Sequence, residues 1–220
     1  MRRTLWMRNS WRSFQSGSGD MKNIGILGGT FDPFHLGHLS IMEAAAEERL
    51  FDRVILLPAR VSPFKIGREI ADREDRLAML ECVAAEYPSV TVSRLEIDST
   101  RVSYTFDTLT EMQKQCPGDR LWFIVGSDSL LSLERWYKGR ELLRGFSFVL
   151  APRPGFDRTD TEAHIQRYRE LYGTEIRTLH NRLKNISSTE IKKNIREGKP
   201  IDSLVPGPVA DYINEHRLYQ

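Results

Sequence analysis

The fold of this chain is decided by residues 23–38, which read NIGILGGTFDPFHLGH. The first five of these residues are largely apolar, as in a buried strand. The two glycines that follow let the backbone turn tightly and come close to a ligand. A helix that begins near Gly37 would aim its unpaired N–H groups and the positive end of its dipole at the same point. The stretch therefore predicts a strand, a turn and a helix that together form an anion site.

Two histidines, His35 and His38, lie three residues apart at the start of this predicted helix. That spacing allows both rings to point from one face, where each can donate a ring N–H to phosphate oxygens as negative charge develops on them. A dinucleotide-binding Rossmann fingerprint fits less well, because no GxGxxG pattern is present. The combination indicates a phosphate site at a helix start.

A second motif stands near the other end of the chain, where Ile186, Ser187, Ser188 and Thr189 precede a helical pattern that contains Lys192. By itself this motif predicts only a capped helix, since Ser and Thr are good N-cap residues. Together with the first motif it predicts a second helix N-terminus that holds a triphosphate from the other side. In-line phosphoryl transfer depends on such positioning and charge stabilisation.

Outward from these motifs, short apolar runs alternate with longer stretches of helical period, which predicts helices on both faces of a parallel sheet. We expect one α/β domain with a doubly wound, Rossmann-like sheet over residues 21–220, and ligand beyond the carboxyl ends of the strands. Predicted strands are 23–27, 53–58, 90–93, 121–125, 146–151 and 176–179. Predicted helices cover 39–50, 77–84, 104–115, 135–143, 161–171 and 188–197, with a last one from Pro208.

Composition and charge exclude several classes of protein. Hydrophobic residues make up 40% and charged residues 28% of the chain, as in ordinary globular proteins. The first twenty residues hold four arginines and one aspartate, which leaves 28 basic and 29 acidic side chains in 21–220. A nucleic-acid-binding protein would be more basic, so no nucleic acid is expected as a partner. We expect residues 1–20 to be an extension outside the core.

No apolar run is long enough to cross a bilayer, so no membrane partner is expected. The two cysteines offer neither a disulfide framework nor metal-ligand spacing, which favours a reducing, cytoplasmic location. The sequence leaves the oligomeric state open, a homo-oligomer included.

The HxGH pattern of residues 35–38 resembles the signature of a nucleotidyltransferase superfamily. Further motifs narrow the resemblance to the bacterial nicotinate-nucleotide adenylyltransferase family along almost all of 21–219. Besides residues 28–38 and 186–189, these motifs are DRLAML (75–80), SYT (103–105), DTL (107–109), GSDSL (126–130), RW (135–136) and PRPG (152–155).

The resemblance implies roles for particular residues. Catalysis falls to His35, His38 and Lys65, and ATP, with Mg²⁺ carried mainly on its phosphates, is one substrate. Nicotinate mononucleotide is the other: Trp136 would stack on its pyridine ring, while Tyr104, Thr105 and Tyr137 would lie around its carboxylate. The residues implied to bind ATP are Gly28, Gly29, Thr30, Phe31, Gly37, Asp128 beside the ribose, Ile186, Ser187, Ser188, Thr189 and Lys192.

Two positions depart from the family pattern. Residue 64 is Phe where the family often has His, so only Lys65 can be carried over from that stretch. Residue 192 is Lys where Arg is common, which keeps the charge but loses the bidentate fork. We therefore expect phosphate binding to survive with altered tightness.

The expected reaction is attack by the acceptor's phosphate on the α-phosphorus of ATP, which yields pyrophosphate and nicotinate adenine dinucleotide. Other acceptors, nicotinamide mononucleotide and phosphopantetheine, stay open. So does a module that binds ATP or NAD without turnover, although the paired histidines and hydroxyls disfavour it. A tRNA synthetase fragment is disfavoured by the near-neutral charge.

Overall fold

In the computed structural model, residues 21–60, 70–100, 102–152, 158–180 and 183–220 are described. Within these ranges, six strands form one parallel sheet in the order β3-β2-β1-β4-β5-β6. The strands are β1 (Asn23–Gly29), β2 (Arg53–Pro58), β3 (Val90–Val92), β4 (Arg120–Gly126), β5 (Ser147–Ala151) and β6 (Ile176–Thr178).

Helices connect successive strands and follow the last one. They are α1 (Leu36–Glu47), α2 (Arg73–Glu86), α3 (Thr105–Gln115), α4 (Ser127–Leu130), α5 (Gly139–Gly145), α6 (Arg158–Tyr172), α7 (Ser188–Arg196) and α8 (Gly207–Glu215), and a 3₁₀ turn covers Leu133–Arg135. None of these described helices is long and apolar enough to cross a membrane.

The two faces of the sheet bury separate apolar clusters. Helices α1, α2, α7 and α8 pack on one face, where Met42, Met79 and Ile191 are buried. Helices α3, α5 and α6 cover the other face, where they pack over Ile24 and Ile26 of β1. Because both faces are covered, the strands are almost continuously apolar, as is usual for parallel sheets.

Strand order places the ligand crevice. From β1 the chain winds outward through β2 and β3, then returns to β4 on the opposite side of β1 and winds away through β5 and β6. The helices on either side of this reversal diverge, which leaves a crevice at the carboxyl ends of β1 and β4. The predicted doubly wound fold is therefore confirmed.

Most predicted elements match the observed ones to within a few residues, but the helix predicted over 135–143 is wrong in its first four residues and begins only at Gly139. The 3₁₀ turn ends at Trp136, whose backbone is extended, and Lys138 adopts a left-handed conformation with φ 50° before α5 begins. A Cβ on Gly139 would lie 2.3 Å from the carbonyl oxygen of Leu133, so only glycine permits this close fold-back. Trp136 therefore lies in a turn between the 3₁₀ turn and α5.

Candidate active site

A cavity of about 520 Å³ opens at the carboxyl ends of the central strands. It brings together the two sequence motifs, which are separated by some 150 residues along the chain. Strand ends, both helix starts and one tryptophan contribute to it. Its walls comprise residues 27–31, His35, Gly37, His38, Ile41, residues 123–126, Ser129, Trp136, Ala151, Pro152 and residues 183–189.

The first wall is the N-terminus of α1, where the two histidines cap the helix reciprocally. The backbone N–H of His38 donates to His35 Nδ1 at 3.3 Å, and the backbone N–H of His35 donates to His38 Nδ1 at 3.2 Å. The rings stack with their centroids 3.7 Å apart and their planes 16° from parallel. Imidazoles thus fill the roles that a serine and a glutamate play in an ordinary capping box.

This arrangement selects one tautomer for each ring. A neutral imidazole carries one proton, and a nitrogen that accepts an N–H cannot hold it. Since both Nδ1 atoms accept backbone N–H groups, the proton of each neutral ring is on Nε2. The capping box therefore turns His35 and His38 into a pair of aligned Nε2–H donors on the cavity wall.

Aromatic rings hold His38 in place. Phe31 meets it edge to face with the centroids 5.0 Å apart, and Phe34 lies 5.2 Å away. Phe31 has a positive φ of 49°, which is uncommon for a residue with a side chain, and its ring is buried. The loop between β1 and α1 is thus a packed structure that fixes the imidazole.

The buried guanidinium of Arg76 donates hydrogen bonds to the backbone of the same loop. Arg76 of α2 is 2% exposed, and its Nη1 donates to the carbonyl oxygens of Thr30 at 2.8 Å and Ala59 at 2.7 Å. Burial lowers the pKa of the Arg76 guanidinium, and the nearby charge of Asp32 opposes that change. Arg76 belongs to the DRLAML motif, but sequence reasoning assigned it no role.

The second wall is the N-terminus of α7. Ser187 is its N-cap, as predicted, and its Oγ accepts the backbone N–H of Glu190 at 3.2 Å. Ile186, Ser188 and Thr189 also line the cavity. The unpaired N–H groups of a second helix start, with its positive dipole end, therefore border the same space as the histidines.

Hydrogen bonds join the two walls directly. Ser188 Oγ donates to the carbonyl oxygen of Pro33 at 3.3 Å, and the backbone N–H of Lys184 donates to Ser40 Oγ at 3.0 Å. The approach is close: a Cβ on Gly37 would lie 3.1 Å from the carbonyl oxygen of Lys184 and 2.9 Å from His35 Nδ1. Glycine at position 37 lets the late segment of the chain lie against α1.

An aromatic side chain also borders the cavity. Trp136 lines it, donates Nε1–H to Ser132 Oγ at 3.2 Å, and meets Phe123 edge to face at 6.5 Å. Tyr104 and Tyr137 lie outside the lining, with their rings 4.3 Å apart and about half exposed. A flat aromatic surface thus stands beside the polar helix starts.

Comparison with known proteins connects this geometry to a family. The family model described as cytidylyltransferase-like matches residues 26–194. A protein of Herpetosiphon aurantiacus named probable nicotinate-nucleotide adenylyltransferase is 37% identical over 199 residues, which cover 90% of this chain and 99% of that protein. A protein of the same name from Neisseria meningitidis serogroup B is 39% identical, covering 91% of this chain and 100% of its own length.

This chain belongs to the nicotinate-nucleotide adenylyltransferase family.

Solved structures agree on the fold of this adenylyltransferase-family chain. Nicotinic acid mononucleotide adenylyltransferase of Plasmodium falciparum superposes with a TM-score of 0.74 at 19% identity, over 90% of this chain and 97% of the other. Its structures are described as complexes with APC and with NaAD. At this level of identity the match supports the shared architecture.

Some residues that the resemblance implied lie away from the cavity walls. Asp128 is exposed in the first turn of α4, and its neighbour Ser129 lines the cavity instead. Lys192 lies behind the wall and forms an ion pair with Asp32. Thr105 begins α3, outside the lining. Lys65 falls outside the described residues, and its role stays a prediction.

Other cavity residues of the adenylyltransferase-family chain were missed by sequence reasoning. Asn185 and Lys184 contribute to the wall just before the hydroxyl motif, and Phe123 contributes from β4. Asn185 and Lys184 lie in a loop, where the sequence has no periodicity that would indicate which side chains face the cavity. Phe123 lies in the middle of the predicted strand and of β4, so its place in the strand gave no signal that its side chain would reach the cavity.

Proposed function

We propose that this chain transfers the adenylyl group of ATP to nicotinate mononucleotide, forming nicotinate adenine dinucleotide and pyrophosphate, with the cavity between α1 and α7 as the active site. The observation that carries the proposal is the convergence of two helix N-termini, one bearing paired imidazoles and the other hydroxyls, on one space. Such a site suits a polyanion.

ATP would lie with its phosphates between the two helix starts. β1 ends there at Gly29, and a Cβ on Gly28 would lie 3.2 Å from the Phe123 ring, so glycine at position 28 lets that ring pack against the strand end. The N–H groups of α7 and the hydroxyls of Ser187, Ser188 and Thr189 face the same space from the other wall. We place Gly28, Gly29, Thr30, Phe31, Gly37 and Ile186 in this phosphate site as well.

The chemical step would be a single displacement at the α-phosphorus. A phosphate oxygen of the acceptor forms a new P–O bond, and the bond between the α-phosphorus and the oxygen that bridges to the β-phosphate breaks. The bonding electrons leave with pyrophosphate. An acceptor phosphate is already an anion at neutral pH, so no general base is required.

His35 and His38 would stabilise the charge that develops during this displacement. Both present Nε2–H because their Nδ1 atoms are held by backbone N–H groups. Donors that are already oriented need no reorganisation when negative charge builds on the phosphoryl oxygens. We assign both imidazoles to electrostatic catalysis, and we keep Lys65 as a further proposed cation.

The aromatic end of the cavity would receive the acceptor's base. Trp136 lines the cavity and is held by Ser132 and Phe123. A flat indole suits a cationic pyridinium ring through stacking and cation–π attraction. We propose that Tyr104, Thr105 and Tyr137 surround the acceptor's carboxylate, and that Asp128 contacts the adenosine ribose.

Mg²⁺ would enter on the ATP phosphates and neutralise part of their charge. Among the described residues, no group of three or more His, Cys, Asp or Glu side chains could hold a metal ion. The carboxylate of Asp32 beside the first motif is already bound by Lys192 and Tyr219. A cytoplasmic location stays a prediction, and a homo-oligomer is one of the oligomeric states that the sequence leaves open.

The test is a pyrophosphate-release assay with Mg²⁺-ATP and, in turn, nicotinate mononucleotide, nicotinamide mononucleotide and phosphopantetheine. We expect release with the first acceptor at a kcat/KM at least about tenfold above the others. Preference for another acceptor would overturn the substrate assignment. ATP binding without release from any acceptor would indicate a sensing module and overturn the catalytic proposal.

A further inference from the structure

A buried carboxylate lies in the loop between β1 and α1. Asp32 is 3% exposed and contacts three donors: the Lys192 ammonium, the Tyr219 hydroxyl at 2.8 Å and the backbone N–H of Ala71 at 3.0 Å. A buried charge is tolerated only when it is paired and hydrogen-bonded. Asp32 is therefore the centre of a polar network that joins three distant parts of the chain.

Tyr219 contacts both members of the ion pair. Its hydroxyl donates to Asp32, and its ring centroid lies 4.9 Å from the Lys192 ammonium, within range of a cation–π interaction. Burial and the charge of Asp32 raise the pKa of the Tyr219 hydroxyl, so it remains a donor at physiological pH. The tyrosine thus covers the pair and supplies one of its hydrogen bonds.

The network connects the two walls of the cavity from behind. Asp32 follows Phe31 of the first wall, and Lys192 follows Ser188 of the second by about one helical turn. None of the three residues of the network, Asp32, Lys192 and Tyr219, lines the cavity. The ion pair and the Ser188–Pro33 hydrogen bond therefore hold the N-terminus of α7 against the loop that ends β1.

We infer that Tyr219 is a positioning residue for ATP: by clamping the Asp32–Lys192 ion pair, it sets the relative placement of the two helix starts that grip the triphosphate. This inference rests on the proposed function. It also gives Lys192 an indirect role, in which its charge fixes α7 through Asp32. Trp136 packs against the apolar cluster on one face of the sheet and Tyr219 against the cluster on the other, so the proposed acceptor site should not depend on the clamp.

The chain offers a matched control. Tyr212, in α8, donates its hydroxyl to a carboxylate oxygen of Asp75 at 3.0 Å, and neither residue lines the cavity. Tyr212→Phe and Tyr219→Phe therefore each remove one tyrosine–carboxylate hydrogen bond and leave the ring. Both variants should lower the melting temperature by similar amounts. A purely structural role for Tyr219 would make the two variants kinetically alike.

The experiment measures KM for ATP, KM for nicotinate mononucleotide and kcat for both variants, and titrates Mg²⁺-ATP in the absence of acceptor. We expect Tyr219→Phe to raise KM and Kd for ATP about tenfold, as the loss of a hydrogen bond to a charged group can do. KM for the acceptor should stay within about twofold, and Tyr212→Phe should leave both KM values unchanged.

An ATP KM within about twofold of wild type for Tyr219→Phe overturns the inference, and so does an equal rise in Tyr212→Phe. Asp32→Asn is a second variant, which loses the charge but still accepts the Tyr219 hydroxyl. If both residues act through one ion pair, the double variant loses less than the sum of the single losses, and full additivity contradicts the inference. Absence of pyrophosphate release by wild type would sink only the proposed reaction, because the ATP titration still tests the clamp.

Discussion

The imidazole rings of His35 and His38 stack in parallel, and each accepts the backbone N–H of the other through Nδ1. Capping and proposed catalysis are therefore combined in the same two side chains. The hydrogen bonds that complete the helix start also leave the proton of each neutral ring on Nε2, and both residues line the cavity. Variants can separate the two roles, because capping needs a hydrogen-bond acceptor at the position of Nδ1, whereas the proposed catalysis needs the donor at Nε2.

Replacing His38 with Ala or with Asn makes this separation. Both variants lose the Nε2–H donor, so kcat should fall on the order of 100-fold in each. Asn keeps a side-chain oxygen that can accept the His35 N–H, so its melting temperature should lie closer to that of wild type. Steady-state kinetics and thermal melts measure the two effects, with His164→Ala on α6 as the control. A folded variant of either kind that turns over normally would refute the role of His38.

Ser187 allows a similar separation on the second wall. Ser187→Ala removes the N-cap of α7 and should cost about 1 kcal/mol of stability. Ser187→Asp keeps a capping oxygen, so the stability of the protein should not change. It also adds a negative charge at the proposed triphosphate site, so KM for ATP should rise more than tenfold, which corresponds to a loss of more than about 1.4 kcal/mol of binding free energy. Denaturant unfolding and ATP kinetics provide the comparison. Unchanged ATP kinetics in the Asp variant would place the phosphates elsewhere.

Trp136 tests the acceptor end. Trp136→Ala should raise KM for nicotinate mononucleotide by about tenfold or more, since stacking and cation–π contacts are lost, and leave KM for ATP unchanged. Trp136→Phe retains a flat ring and should show a smaller effect. Equal rises for both substrates in the Ala variant would indicate general damage to the cavity and contradict the assignment.

Gly37 tests the close approach between the walls. Gly37→Ala should destabilise the protein by about 1–3 kcal/mol and reduce turnover, because the new methyl would press on His35 and on the Lys184 carbonyl. Gly207→Ala is the matched control, since a Cβ there meets open space at the start of α8. Urea unfolding measures the difference. A Gly37→Ala protein as stable as the control would show that the two segments are not packed as described.

Glu96 makes a prediction about pH. Burial raises its pKa above the ordinary 4.5, while a hydrogen bond from Thr108 at 2.7 Å partly opposes the rise. The folded protein therefore holds the Glu96 proton more tightly than the unfolded chain, and this residue's contribution to stability declines as pH rises from 4.5 through the folded pKa. Glu96→Gln should flatten that decline in thermal melts. An unchanged pH dependence would contradict the prediction.

Local chemistry and period were enough to predict the sheet, the position of the crevice and the two helix starts that border it. The turn at 136–138 was not predictable, because Arg135–Leu143 has helical period and the break depends on the contact between Gly139 and the carbonyl of Leu133. The burial of Lys192 against Asp32 was equally hidden, since 160 residues separate the partners and no local pattern links them. Long-range pairs of this kind become visible only in the folded chain.

The cavity draws one wall from residues before 40 and the other from residues after 180. A nucleotide bound there would contact both walls, which come from segments far apart along the chain. The two walls could then separate only after the nucleotide had dissociated. Nucleotide at a free concentration [L] would then add RT ln(1 + [L]/Kd) to the free energy of unfolding, and would protect the chain from proteases that cleave its unfolded form. By this linkage, the supply of substrate would set how long each molecule of the protein survives.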